Sequence, residues 1–431
     1  MSQFHDSFVV GIDVASEFSF VAMLAPSGEL IRKPFRIDHT PTGFNQLLQI
    51  LKKEEERLNS SPVYFVESTG IYHLPLFFFL KSNDLKGFVL NPLSVHSTKN
   101  YDIRKVKNDK KDALAIARLV KYQDIKVSLV PEPQILSLRM LVREYFALAD
   151  NLTDCKLRFI NDLRLVFPGF IEVFSSPFSA AALALLKEHP SPTSLQNADP
   201  QTLTELIAKA ARRSFSWAKG KMINLLEYAQ MAQSIGLPAV ALEAKIRIQI
   251  QTLDAIQTSM ANIETAIRQH ISSDAFPKLF LTSIELLDAM PGIGFISAVT
   301  LIAEIGDFTK FPSAKALTAF LGIDPTVNES GNFKGDRNRM SKRGSKLARR
   351  ILFTIAMASI RNTKKGTAIN PILKAYYESK NKSKKKKVAL VAVMHKLVHY
   401  IFAVLREQKA FVLRDPEIHR SLHIVNLKAV A

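Results

Sequence analysis

The sequence predicts an α/β layer domain at the N-terminal end, a long helical region after it, and a basic, mainly helical C-terminal part. Three observations carry this: strand-like segments spread over the first 130 residues with helical segments between the later ones, the fading of strand signals from about residue 131, and a late concentration of glycine and positive charge. At 431 residues the chain is long enough for two or three domains, each with its own core. Hydrophobic residues at 47% and charged residues at 23% exclude a disordered or fibrous chain.

The elements follow in order. Residues 8–14 (FVVGIDV) and 17–24 (EFSFVAML) are apolar, β-branched and aromatic, and a PSG turn signal at 26–28 precedes a third strand near 30–36. Residues 42–58 show helical spacing through Phe44, Leu47, Leu48, Ile50 and Leu51, VYFVE at 63–67 is a short buried strand, and 74–82 is a helix. GFVLN at 87–91 is another strand, and a helix runs from about 108 to 122. An antiparallel meander followed by alternating helices and strands predicts a mixed sheet covered by helices, an order similar to the RNase H-like arrangement.

From 131 to 283 long helical stretches dominate. Residues 136–167 and 239–271 carry an apolar residue every three or four positions, enough for an antiparallel coiled-coil hairpin. A Pro- and Ser-rich break at 175–202 and a small helical region around Trp217 lie between them. From Leu286 onward the pattern is helical with glycine punctuation. Three parts result: 1–130, 131–283 and 284–431.

Lys and Arg number 58 against 39 Asp and Glu, a net charge of +19, which implies a polyanionic partner. Between 334 and 387 eighteen Lys or Arg face only Asp336 and Glu378, so almost the whole excess lies in about an eighth of the chain. Such clustering is the footprint of phosphate-backbone binding, although a solvated loop has the same composition, and the run at 384–387 also reads as a tether. A single cysteine, Cys155, excludes a disulfide framework and a Cys-rich zinc site. No secretory signal is expected in MSQFHDSFVVGIDVAS, and the apolar stretch 388–405, interrupted by His395, Lys396 and His399, favours a buried helix over a membrane span. The expected compartment is the cytoplasm, with no membrane role.

Four carboxylates carry the chemistry. Asp13 lies in the first strand, Glu67 ends the fourth, and Asp109 and Asp112 open a helix, one turn apart on one face. Like charges held together call for a divalent cation among them, and hard oxygen ligands suit Mg²⁺ or Mn²⁺, two of which would clamp the oxygens of a phosphodiester. Asp109 reads equally as a helix N-cap. Asp13, between Ile12 and Val14, needs a partner if it is buried.

A second constellation spans 290–353. Pro291-Gly292-Ile293-Gly294 looks like a helix-hairpin-helix turn whose N–H groups can approach a phosphate, or is plain helix packing. Residues 328–332 (NESGN) are a polar turn, followed by Lys334, Arg337, Arg339, Lys342, Arg343, Lys346, Arg349 and Arg350, the candidate nucleic-acid-binding residues. Ser330 reads as a turn residue or as a group held against a DNA phosphate. Ser341 and Ser345, in SKRGS, are expected to hydrogen-bond a phosphate.

GIDVA with Asp13, FVESTG with Glu67 and KNDKKDA with Asp109 and Asp112 resemble the D-E-D-D set of the bridge-RNA-guided insertion-sequence transposases, the DEDD recombinases related to the Piv invertase. MPGIGFISAVTLIAEIGD, FLGIDP and ESGNFKGDRNRMSKRGSKLARRIL resemble the C-terminal transposase domain of that family. The resemblance implies a RuvC-type RNase H-like domain, a coiled-coil dimerisation region and a C-terminal domain with a nucleophilic serine. Carried over, Asp13, Glu67, Asp109 and Asp112 bind Mg²⁺ (or Mn²⁺), and Ser330 attacks the DNA phosphate. It also implies donor and target DNA, an element-encoded bridge RNA, and a homo-oligomer, a dimer that grows to a tetramer with nucleic acid.

Three other readings stand beside this. A RuvC-like metal-dependent junction nuclease would use the acids to activate water, with no covalent intermediate. A sugar-kinase or actin-like ATPase lacks its second phosphate loop here and has no use for the charge. A non-catalytic nucleic-acid scaffold leaves Asp13 and Glu67 unexplained.

Overall fold

The computed structural model describes residues 2–67, 70–90, 109–124, 132–235, 240–326, 329–330, 333–334 and 339–413. It forms two compact units, Met1–Pro131 and Glu132–Ala431.

In the first unit β1 (Phe8–Val14), β2 (Phe18–Leu24) and β3 (Leu30–Asp38) form the expected antiparallel meander. β4 (Pro62–Glu67) joins parallel to β1, and β5 (Lys86–Leu90) parallel to β4, giving the order β3-β2-β1-β4-β5. Strand alternation divides the side chains between two faces. Phe8, Val10, Ile12, Tyr64 and Val66 meet Leu47, Leu48 and Leu51 of α1 (Pro41–Leu58) and Leu76, Phe77 and Leu80 of α2 (His73–Ser82). Val9, Phe65, Phe88 and Leu90 meet Ala113, Ile116, Ala117 and Val120 of α3 (Asp109–Tyr122). The start of α1 follows from local chemistry: the Thr40 side chain accepts from the Gly43 N–H at 3.1 Å, and Pro41 occupies the first turn, where no N–H is needed.

The second unit is built on two long helices, α4 (Pro133–Val166) and, later in the chain, residues Val240–Ile271. They run antiparallel: the His270 ring contacts the Gln134 carbonyl at 2.8 Å, while at the opposite end Lys245 and Gln249 donate to Asp162 at 2.8 and 2.7 Å. A separate apolar core forms at each end of the pair. At the far end, around Phe159, Leu163, Ile246 and Ile250, it takes in α5 (Phe170–Val173), α6 (Ala180–Glu188), α7 (Pro192–Gln196), α8 (Pro200–Ala211) and α9 (Phe215–Ile235). The Pro- and Ser-rich stretch expected as a break is therefore packed structure. Pro192 and Pro200 occupy the first turns of α7 and α8, and Ser191 and Ser194 cap α7 reciprocally.

With the second long helix numbered α10 (Val240–Ile271), the near-end core gathers Leu138, Val142 and Ile267 with α11 (Lys278–Asp288), α12 (Phe295–Ile305), α13 (Ala314–Leu321), α14 (Lys346–Ser359), α15 (Pro371–Asn381) and α16 (Lys386–Glu407). By length and composition α16 could cross a membrane, yet Leu390, Val393, Met394, Leu397, Val398 and Ile401 are buried in this core. Lys385 is its N-cap residue and Lys386 its first, so part of the lysine run read as a tether opens a helix. Gly292, between α11 and α12, has φ +95°, and a Cβ there would meet the Ser359 side chain at 2.4 Å. Helix packing thus accounts for the first glycine of the PGIG turn.

Candidate active site

Three of the four carboxylates converge. One oxygen from each of Asp13, Asp109 and Asp112 lies within 4.8 Å of the others. The sheet explains why: Asp13 alternates onto the face covered by α3, two residues beyond Gly11, and α3 begins at Asp109, so its first turn overhangs the end of β1. Glu67 is one step beyond the last β1–β4 pair, Ile12 with Val66, and is only 2% exposed at the end of β4. It follows Phe65 by two residues, so alternation sets it on the α3 face also, beside the converged trio rather than within it. Asp109 is the first residue inside α3.

Gly11 is the residue that sequence reasoning passed over. A Cβ at Gly11 would meet the Ala113 carbonyl oxygen and the Ala117 nitrogen, both at 2.5 Å, so α3 lies directly on the β1 backbone. Only glycine permits that approach, and the approach brings Asp109 and Asp112 down to Asp13. The helix is also held at its far end. Lys121, fully buried, donates to the Ser7 and Pro26 carbonyls at 3.0 and 3.1 Å, and burial lowers its pKa against the opposing pull of Asp6. The signal for both was present in the sequence as a glycine inside an apolar strand and a lysine within an apolar helix face.

The residues chosen for site chemistry fit a divalent cation. Three carboxylates within 4.8 Å repel unless positive charge lies among them, and all offer the hard oxygens that Mg²⁺ and Mn²⁺ take.

In the second unit the segment expected as a polar turn is a two-stranded ribbon. β6 (Glu329–Ser330) pairs antiparallel with β7 (Phe333–Lys334), Ser330 opposite Phe333, which leaves Gly331 and Asn332 to connect them. Alternating polar residues over so few positions hid these strands. Below them Pro325 and Met340 form a bridge, and the Thr326 N–H donates to the Arg339 carbonyl at 2.6 Å. The base is fixed to the core: Ser341 donates through its hydroxyl to the Asp324 carboxylate and through its N–H to the Asp324 carbonyl at 2.8 Å, and Lys342 N–H donates to Gly322 at 2.9 Å. A Cβ on Gly344 would sit 2.0 Å from the Phe320 carbonyl oxygen, so FLGIDP and SKRGS are pressed backbone to backbone. Ser345 caps α14, accepting from Ala348 N–H at 3.1 Å. Both serines expected on a phosphate thus have structural partners.

The candidate basic residues divide. Arg339, Lys342, Arg343 and Lys346 are exposed. Arg349 donates to the Gly344 carbonyl at 2.6 Å, and Arg350 pairs with Asp150 at 2.7 Å while lying over the Phe146 ring, so each ties α14 to its own unit. Arg337 and the side chains of Ser330 and Lys334 lie outside the described residues.

The end of α12 carries a buried carboxylate that sequence reading did not single out. Glu304 accepts from Arg143 at 2.8 and 3.1 Å. Burial alone would raise its pKa, but the Arg143 hydrogen bonds and charge, with help from Ser345 and Arg139, hold it below the usual value of 4.5. A depressed carboxylate stabilises the fold above the unfolded pKa and loses that contribution as pH falls through the folded one. Glu304→Gln is therefore expected to cost about 2 kcal/mol at pH 7, and the gap to the unsubstituted protein should close as pH falls below about 4.5. Urea midpoints measured at both pH values check this; a gap independent of pH would refute it.

Convergent carboxylates at the end of a mixed sheet, in one chain with a strongly basic helical unit, are the arrangement of an enzyme that acts on nucleic acid. Comparison with known proteins agrees. A family model described as transposase, of the DEDD IS110 type, matches residues 10–168, and one described as transposase of the IS116/IS110/IS902 family matches residues 284–378. The chain belongs to this family of transposases, DNA recombinases of insertion sequences. It is 22% identical over 422 residues to the insertion element IS116 44.8 kDa protein of Streptomyces clavuligerus, covering 96% of this chain and 99% of that one. It is 26% identical over 185 residues to the transposase for insertion sequence element IS1111A of Coxiella burnetii, 43% of this chain and 49% of that one. It is also 32% identical over 134 residues to the pilin gene-inverting protein of Moraxella bovis, 31% of this chain and 39% of that one.

Proposed function

We propose that this transposase cuts and rejoins DNA through an acidic metal site and a serine nucleophile, working with an element-encoded structured RNA. The observation that carries the reading is the convergence of Asp13, Asp109 and Asp112 within 4.8 Å. These three, with Glu67, would hold Mg²⁺ or Mn²⁺, and the bound ion supplies charge neutralisation for a phosphodiester undergoing displacement. The protein's own part is to keep the carboxylates converged, which Gly11 and Lys121 do by fixing α3.

Ser330 supplies the nucleophile in this reading. Its oxygen forms a bond to phosphorus, the bond to one bridging DNA oxygen breaks, and the serine proton passes on balance to that leaving oxygen. Reversal with a different DNA end rejoins the strand without an energy source. The exposed cations Arg339, Lys342, Arg343 and Lys346 would hold phosphates, a contact without sequence preference, while base pairing by the RNA would select the sites. We further assign three working parts, 1–130, 131–283 and 284–431, and association through the long antiparallel helices, since joining two duplexes needs more than one active site.

Titration of the full-length protein with Mn²⁺, followed by the electron paramagnetic resonance of the free ion, tests the metal site. Asp112→Asn is expected to weaken binding at least about tenfold. Equal binding by the two proteins would sink the assignment.

A further inference from the structure

The turn between α8 and α9 falls outside both family matches, between residues 168 and 284, and carries a surface that the catalytic reading does not use. Residues 206–226 contain five basic side chains, Lys209, Arg212, Arg213, Lys219 and Lys221, and no acidic one. Interleaved with them are two large rings left in solvent, Phe215 at 49% and Trp217 at 38% exposure. Lys209, Arg212, Arg213 and Lys219 are all exposed, and among the described residues no carboxylate pairs with any of them. Lys221 is committed inward, to the Val173 carbonyl.

The turn is rigid. Arg212 ends α8 at φ +54°, the Arg213 N–H returns to the Ala208 carbonyl at 3.1 Å, and Ser214 receives the N–H of Trp217 at 3.3 Å through its side chain and that of Ala218 at 3.1 Å through its carbonyl. Ala218, fully buried, fixes which side of α9 faces the core. Phe215 and Trp217 then stand on opposite shoulders of the first turn, two residues and about 200° apart. Two rings carried on a fixed backbone turn, with cations around them, form two stacking platforms.

We infer that this turn binds an unpaired loop of a structured RNA, its bases stacking on Trp217 and Phe215 and its phosphates meeting Arg212, Arg213 and Lys219. Chemistry favours this occupant. A DNA duplex keeps its bases stacked on one another and offers the rings nothing, whereas unpaired RNA loops present free base faces. A second copy of the same turn would bring a like-charged surface and be repelled. The inference rests on the reading that this protein works with a structured RNA.

Trp217 is the only tryptophan in the chain, so intrinsic fluorescence reports on this turn alone. The full-length protein would be titrated with an end-labelled RNA stem-loop carrying an unpaired loop of about ten nucleotides. Its label anisotropy reports binding anywhere, and Trp217 emission reports binding here. Quenching is expected to saturate together with the anisotropy and to vanish when a complementary oligonucleotide pairs the loop. Arg212→Ser with Arg213→Ser should weaken loop binding about tenfold and lower the salt dependence by about two phosphate contacts. Trp217→Ala should cost about tenfold, and Trp217→Phe should restore most of it; thermal melting of each variant verifies the fold. Anisotropy rising with Trp217 emission unchanged would overturn the inference and leave the RNA partner standing elsewhere on the protein. No RNA binding at all would remove the RNA reading and this inference with it. Equal quenching by single-stranded DNA of the loop sequence would overturn the assignment to RNA, and an emission change that follows protein concentration without RNA would make the turn a self-association surface.

Discussion

Asp13→Asn and Gly11→Val are both expected to abolish DNA cutting, by about 10³-fold or more, while only Gly11→Val loses several kcal/mol of stability. The common loss follows from the site: one variant removes a carboxylate oxygen from the converged trio, and the other drives the helix that carries two of its members away from the third. Loss of several kcal/mol of charge stabilisation at a phosphodiester corresponds to about that factor in rate, and a displacement of about 1 Å costs about a hundredfold by itself. Stability separates them. Asp13→Asn keeps the shape of the side chain while removing one of three like charges within 4.8 Å, so the metal-free protein should stay within about 1 kcal/mol of the parent. In Gly11→Val the added atoms meet backbone at 2.5 Å, and the cost should exceed the about 1–3 kcal/mol of ordinary overpacking, since a carbonyl and an amide cannot move as a side-chain end can. Mn²⁺ should raise the melting temperature of the parent and not that of Asp13→Asn. A Gly11→Val protein with full activity would show that the approach of α3 does not set the site.

Much of this was legible because it rests on short-range rules. The apolar, β-branched and aromatic runs FVVGIDV and VYFVE marked both strands and put Asp13 and Glu67 in them, and the i, i+3 spacing of Asp109 and Asp112 gave the helix face. What sequence could not convey was how close α3 lies to β1, which depends on a glycine whose missing side chain matters only once its neighbour is known. The same holds for Gly322 and Gly344, read as turn punctuation and found to be a backbone contact. The ribbon at Ser330 escaped notice for a different reason: each strand has two residues, too few for a period to register. Arg349 and Arg350 looked like the other cations around them because charge is visible in a sequence and a partner such as Gly344 or Asp150 is not.

Ser330→Ala is expected to leave the protein folded and able to bind nucleic acid, yet unable to form any covalent link to DNA. Ser341 and Ser345, the competing nucleophiles, have partners: the Ser341 hydroxyl donates to Asp324 and Ser345 caps α14, and each would have to break a structural hydrogen bond to react. Ser330 lies on β6, paired with Phe333 of β7 and outside the stretch that carries Ser341 and Ser345. A suicide DNA substrate that cannot rejoin should trap the phosphoserine. Mass spectrometry of the digested protein should then find a nucleotide on the peptide containing Ser330 and none in Ser330→Ala, whose thermal melting should stay within about 0.5 kcal/mol of the parent. An adduct on Ser341 or Ser345 would move the nucleophile to the base of the ribbon. DNA cut by Ser330→Ala with no adduct anywhere would instead make the acids activators of water and the protein a junction-type nuclease.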